Sequence, residues 1–105
     1  MAYRVDFSIE AVAQIDGYLA YLRRYSRATA AKYKLALQKA IDQYLAESPE
    51  TFTFYWETGA PYRAFLFRVS RRTTYWVIYR VYEGDRIVRV LRFRNAAEEP
   101  GTHDL

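Results

Sequence analysis

The amino-acid sequence predicts an α+β domain of order β-α-α-β-β-β, an antiparallel sheet covered on one face by an N-terminal helical hairpin. Three observations predict it. From Val12 to Leu45 apolar residues recur at steps of three and four, the helical period, in two blocks separated by Tyr25-Ser26-Arg27. From Tyr62 to Asn95 β-branched and aromatic residues crowd three runs, divided by Ser70-Arg71-Arg72-Thr73 and by Glu83-Gly84-Asp85. At the N-terminus Tyr3-Arg4-Val5-Asp6-Phe7 alternates apolar and polar side chains, the pattern of a half-buried strand.

Each element has a local cause. Ser8 is a good N-cap, and Glu10 lies in the first turn, where the helix dipole favours an anion. Val12, Ile15, Leu19 and Leu22 then form one stripe of a helix running to about Arg24. Gly17 inside it costs roughly 1 kcal/mol against Ala, and close approach of a second helix would account for it. Tyr18, Tyr21 and Tyr25 make a second stripe, read either as a wider core face or as an aromatic contact surface. Ser26 caps the next helix, in which Ala30, Tyr33, Leu37, Ile41, Tyr44 and Leu45 keep the period. This helix ends before Pro49, because the residue preceding proline avoids the α region. So short a connection folds the two helices into an antiparallel hairpin.

Glu50 to Pro61 reads as an irregular connection or a short strand. Tyr62 to Val69 is the next strand, and Tyr75 to Asn95 is an apolar hairpin turning at Gly84. The three strands form a meander, and the first strand joins their sheet. Residues 1–97 make one domain, and residues 98–105 read as a loosely docked tail.

Composition narrows the function. At 105 residues the chain buries roughly 65% of its unfolded surface, enough for one core. With no cysteine there is no disulfide framework and no thiolate metal site, and a cytoplasmic setting is expected. No leader-like apolar segment opens the chain, and no run approaches the ~20 apolar residues that span a membrane. The formal charge is +4 and the pI about 9.4, with 16 bases against 12 acids, which favours anionic partners. Of the bases only Lys32, Lys34 and Lys39 are lysine, and every base from Tyr62 to Asn95 is arginine. The guanidinium fork suits carboxylates and phosphates, and its face stacks on aromatics.

No nucleophile–base set stands out. The one histidine, His103, and the Glu98-Glu99 pair fall in the tail and read as solvated. The isolated glycines cannot cradle a phosphate, and no cofactor or metal is expected. Attention therefore falls on arginine. Strict alternation along the last strand puts Ile87, Arg89, Leu91 and Phe93 on one face and Arg86, Val88, Val90, Arg92 and Arg94 on the other. With Leu91 and Phe93 toward the helices, Arg92 and Arg94 meet on the open face, and Arg63 is expected to approach them. That face is either a solvated sheet surface or a site for phosphate or for acidic residues of a partner. Arg71-Arg72 reads as a solubility device in a turn.

Taken together these segments resemble the RelE/ParE superfamily of toxins from type II toxin–antitoxin pairs. The resemblance spans roughly Tyr3 to Ala97 and rests on the order and spacing of four stretches. Tyr3-Arg4-Val5-Asp6-Phe7-Ser8 with Ile9-Glu10-Ala11 is similar to the family's strand into a capped helix. Leu45-Ala46-Glu47-Ser48-Pro49 resembles its acidic, proline-terminated helix end. Tyr75 to Val81 resembles its Tyr-Arg-x-x-Tyr-x-Val strand, and Val88 to Arg94 its last strand with a basic cluster.

The resemblance implies a growth-inhibiting toxin and a cognate antitoxin that wraps it with an acidic segment. RelE-like members cleave mRNA on the ribosome with basic side chains and an acid–base or aromatic residue near the C-terminus. ParE-like members lack that set and inhibit DNA gyrase. This chain departs from the ribonuclease pattern. Phe65 stands in place of a basic neighbour of Arg63, Trp76 in place of the Arg after Tyr75, and no Tyr follows Arg94. The ParE-like branch is therefore the expectation, with Arg63, Arg80, Arg92, Arg94, Tyr18, Tyr21 and Tyr25 as the surface for target or antitoxin. A RelE-like ribonuclease, with Arg63, Arg92 and Arg94 as its only catalytic candidates, is the alternative. A non-toxic, Arg-rich nucleic-acid-binding module is a third reading.

Overall fold

A computed structural model describes residues 2–52, 62–69 and 73–97. The Glu50–Pro61 connection beyond Phe52, the Arg71-Arg72 turn and the tail with Glu98, Glu99 and His103 lie outside these described residues. Strand β1 (Arg4–Phe7) leads into helix α1 (Ile9–Arg23), then α2 (Arg27–Ile41), which continues as a π-helical turn at Asp42–Ala46. Strands β2 (Tyr62–Arg68), β3 (Thr74–Tyr82) and β4 (Ile87–Asn95) follow.

The predicted caps form as read. Ser8 Oγ accepts from the Ala11 amide at 3.0 Å, and Ser26 Oγ accepts from the Thr29 amide at 3.1 Å. Each satisfies a helix-start donor that has no partner within the helix. The sheet order is β1-β4-β3-β2. The β2–β3 and β3–β4 pairs are antiparallel, whereas β1 lies parallel to β4. The sheet is thus mixed and not wholly antiparallel, because the helical hairpin returns the chain past β1 before β2 begins.

The helices cover one face. Tyr18 and Leu19 of α1, Leu37 and Ile41 of α2, and Leu45 pack on Phe65, Val77, Tyr79, Val88, Val90 and Phe93. Tyr79, Val88 and Val90 have no exposed surface, and burying each such side chain contributes roughly 1.5–3 kcal/mol. Three of the four expected α1 stripe residues, Ile15, Leu19 and Leu22, pack on this core. Ala11, Tyr18 and Leu19 are buried, whereas Val12 turns outward. Gly17 has nothing within 4 Å of where a Cβ would stand, so no close helix approach explains it.

Strict alternation fails in β4. Ile78 pairs with Arg92 but Tyr79 pairs with Val90, so Leu91 is an extra residue, a β-bulge. Its carbonyl accepts from Ser8 Oγ at 2.9 Å and from Arg92 Nη1 at 2.7 Å. Two residues on, the Phe93 amide donates to Gln14 Oε1 at 2.6 Å. The helix cap and the first helix thus satisfy backbone groups around the bulge. The physical result is a change of phase. Val88 and Val90 join Phe93 on the helix side, which corrects the grouping of Val88 and Val90 with Arg92 and Arg94.

The β3–β4 turn holds a second departure. The left-handed residue is Arg86, with φ 51°, and not Gly84. The Arg86 guanidinium lies 4.3 Å from the centre of the Tyr3 ring, a cation–π contact that offsets part of the backbone cost.

Candidate anion-binding face of the sheet

The bulge gathers arginine on the sheet face turned away from the helices. Across β3 and β4, Trp76 pairs with Arg94, Ile78 with Arg92, and Arg80 with Arg89. Across β2 and β3, Leu66, Ala64 and Tyr62 pair with the same three β3 residues. Side chains alternate along a strand, so these pairs share one face. Ala64 and Ile78 are its buried centre, with Tyr62 and Trp76 packed against them.

The four arginines sit in different surroundings. Arg89 is exposed and pairs with Asp6 at 3.7 Å, a carboxylate that also meets Arg4 at 3.5 Å. Surface pairs of this kind contribute about 0–1 kcal/mol. Arg80 and Arg89 both approach the Tyr82 ring, at 4.9 and 5.6 Å. Arg92 is half-buried and tethered to the Leu91 carbonyl. Arg94 is only 8% exposed, and its Nη1 is buried with no hydrogen-bond partner. Of the two readings of this face, a fully solvated surface does not describe Arg94. A guanidinium buried with an unused donor is costly, of order 1–3 kcal/mol or more, until an acceptor reaches it. An incoming carboxylate or phosphate oxygen is such an acceptor.

Arg63 does not join this group. It pairs with Tyr79 and therefore lies on the helix side, where its Nη1 donates to the Phe52 carbonyl at 2.7 Å and the Glu50 carbonyl at 3.3 Å. It anchors the chain leaving Pro49, whose carbonyl accepts from Tyr79 Oη at 2.6 Å. Phe65 shares that side, in the core.

The tyrosine stripe divides. Tyr18 is in the core, against Tyr75 at 4.8 Å and Phe93 at 5.5 Å. Its hydroxyl is buried without a partner, and burial, with the neighbouring Tyr75 and Tyr33, holds its pKa far above the usual phenol range. Tyr21 and Tyr25 are exposed and meet edge to face at 5.2 Å.

One cluster escaped the sequence reading. Tyr3 Oη lies 3.1 Å from Glu50 Oε1 and 3.1 Å from Glu83 Oε2. The two carboxyls act as a pair. Hydrogen bonding to Glu83 and then to Tyr3 holds Glu50 below its usual value, and hydrogen bonding to Glu50 raises Glu83. Residues 47 and 33 positions apart gave no sequence signal for it.

Chemically, the arginine face offers charge and directed donors. Among the described residues no histidine is present, and Asp6, already paired with Arg4 and Arg89, is the carboxylate placed on this face. No group of three metal-ligating side chains occurs among the described residues, and no helix there is long and apolar enough to cross a membrane.

Comparison with known proteins agrees with this architecture. Residues 5–100 match the family described as the ParE toxin of the type II toxin–antitoxin system, parDE. No curated protein matches the sequence. Among solved structures, the chain is similar to one from the chromosomal ParDE system of P. aeruginosa, with TM-score 0.60 and 14% identity over 89% of this chain and 95% of that one. It is also similar to a chain of the intact E. coli RelBE toxin–antitoxin complex, with TM-score 0.56 and 20% identity over 92% of this chain and 100% of that one. The isolated E. coli RelE toxin gives TM-score 0.55 and 19% identity over 94% and 89%. These likenesses establish a shared fold, and the match over nearly the whole length places the chain in the ParE toxin family of type II toxin–antitoxin systems.

Proposed function

We propose that this ParE-family toxin arrests growth in the cytoplasm by gripping DNA gyrase through the face carrying Arg80, Arg92 and Arg94, and that a cognate antitoxin neutralises it. The buried, unpartnered Nη1 of Arg94, with half-buried Arg92 on the same face, carries the reading. Such a pair is prepared for an anion and gains by receiving one. Gripping fits this chemistry better than cutting. An RNA cut through the 2′-hydroxyl needs a proton acceptor and a proton donor besides charge, and the arginines supply charge. Arg63, a candidate under the ribonuclease reading, has donors engaged by backbone carbonyls on the other side. An antitoxin is supported by the RelBE complex and the ParDE system among structures of this fold. Exposed Tyr21 and Tyr25 offer it an apolar seat.

Induced expression in cells lacking antitoxin tests the reading. DNA-damage response and translation are followed separately. Gyrase inhibition predicts a damage response and filamentation while translation continues at first. An immediate stop in translation, with mRNA cut at the ribosome, would point to the RelE-like activity instead. Unimpeded growth would leave an Arg-rich nucleic-acid-binding module.

A further inference from the structure

A groove runs between the two helices. Val12 and Ile15 of α1, Leu37 and Ile41 of α2, and Phe7 at the end of β1 wall a space of about 200 Å³. The apolar surface continues past its ends. Ile9 stands one helical turn before Val12, and Leu35 one turn before Gln38 of the groove; they are 86% and 61% exposed. Phe7 and Val12 are exposed as well. A contiguous apolar patch of this kind marks an interaction surface.

The charges beside it select the partner. The groove has one acidic residue, Asp16 on α1, and one basic residue, Lys34 on α2. Both are exposed, and among the described residues neither has an ion-pair partner. An acid on one helix and a base on the other, across one apolar strip, is a self-complementary arrangement. About a two-fold axis, residue i of one protomer meets residue j of its partner, and j meets i. With α1 laid over α2 of a second copy, Asp16 reaches Lys34 in both directions while the apolar walls close on each other.

We propose that two copies of this chain pair through this groove, helical hairpin on helical hairpin, to give a four-helix layer between two sheets. The proposal goes beyond the toxin reading and needs neither gyrase nor antitoxin. The mixed charge argues for a second copy over other occupants. A nucleic acid or an anionic membrane surface calls for bases without acids beside the apolar strip. A strongly acidic or strongly basic peptide gains little from a rim of both signs. The net charge of +4 opposes approach of two copies at long range, and burial of the apolar strip offsets that at contact. The groove belongs to the helical layer, on the other side of the sheet from Arg92 and Arg94. A pair built this way therefore presents two arginine faces outward, and a target with two anionic sites would feel the avidity of linked modules.

Sedimentation velocity of the purified full chain tests the proposal. With rising concentration the parent protein should pass from the 12.5 kDa monomer to a species of twice that mass. Val12→Glu should weaken pairing at least about tenfold. Asp16→Lys makes the rim wholly basic and Lys34→Asp makes it wholly acidic. Each alone should weaken pairing about tenfold, because like charges then face each other. Mixed one to one, these two variants should pair at least as tightly as the parent protein, since each meets the sign it lacks. All three positions are exposed, and circular dichroism checks that each variant is folded. A parent protein that stays monomeric up to its solubility limit, pairing that survives Val12→Glu, or a mixture that pairs no more tightly than either variant alone would overturn the proposal. A monomeric chain that binds phosphatidylglycerol vesicles through Val12 would overturn it too, by giving the groove to a membrane surface. The readout is association of the free chain, so its failure leaves the growth experiment standing, and the reverse also holds.

Discussion

Arg63 and Arg94 are the same side chain on two strands of one sheet that flank β3, and the sheet's two faces use them in opposite ways. On the helix side Arg63 donates to the Glu50 and Phe52 carbonyls and holds the chain that leaves Pro49. On the far side Arg94 is 8% exposed, yet its Nη1 meets no acceptor. The difference teaches that arginine content alone does not mark a site. What marks one is a guanidinium whose donors the fold has left unused. The bulge at Leu91 creates the contrast, since it puts Val88 and Val90 into the core and leaves Arg89, Arg92 and Arg94 together.

The comparison can be broken from either side. Replacing Arg92 and Arg94 together by Ala should remove growth inhibition, with a loss of more than about 2 kcal/mol in target binding, roughly 30-fold. The thermal melt should fall modestly, because Arg92 gives up its bond to the Leu91 carbonyl, whereas the Arg94 Nη1 has no hydrogen-bond partner to lose. Arg63→Ala should do the reverse. It forfeits two bonds from a charged donor and should destabilise the fold by roughly 1.5–3 kcal/mol, measured by urea unfolding, with binding by the folded fraction intact. Ser8→Ala should cost about 1–2 kcal/mol, at the upper end for a cap, because Ser8 also holds the Leu91 carbonyl. Gly17→Ala should stabilise by roughly 0.5–1 kcal/mol, since open space surrounds the position and Ala favours helix.

The smallest effect concerns pH. Glu83 is raised, so its contribution is complete below the ordinary carboxylate value and fades as pH rises through the raised one. Glu50 is lowered, so its contribution is present above its ordinary value and fades as pH falls through the depressed one. The two oppose each other and flatten the stability profile. Glu83→Gln removes the first and keeps a donor toward Glu50. Melts between about pH 3 and 6 should show the variant losing stability on acidification more steeply than the parent protein.

Much of this fold was legible because its signals are local. Ser8 and Ser26 cap the helices they were read to cap, the three-and-four spacing found both helices, and the β-rich runs found β2, β3 and β4. The parallel placement of β1 depends on the path of the helical hairpin, which no local pattern reports. The bulge was not legible either. Its supports, Ser8 and Gln14, lie about 80 residues away, and alternation without an inserted residue predicts the wrong faces. Arg92 and Arg94 were found by their proximity in sequence, whereas Arg63 was placed with them for want of the β2 register. The setting of Tyr18 was half visible, as a tyrosine stripe whose packing partners, Tyr75 and Phe93, come from the far end of the chain.

The central claim is that the unused donors of the far sheet face serve to grip a protein target. The most direct measurement is DNA supercoiling by purified gyrase in the presence of the parent protein and of the folded Arg92→Ala, Arg94→Ala double variant. The account predicts inhibition by the parent protein and none by the variant, with both proteins folded at the assay temperature. Equal inhibition by both, or none by the parent protein while it cleaves mRNA on purified ribosomes, would contradict it.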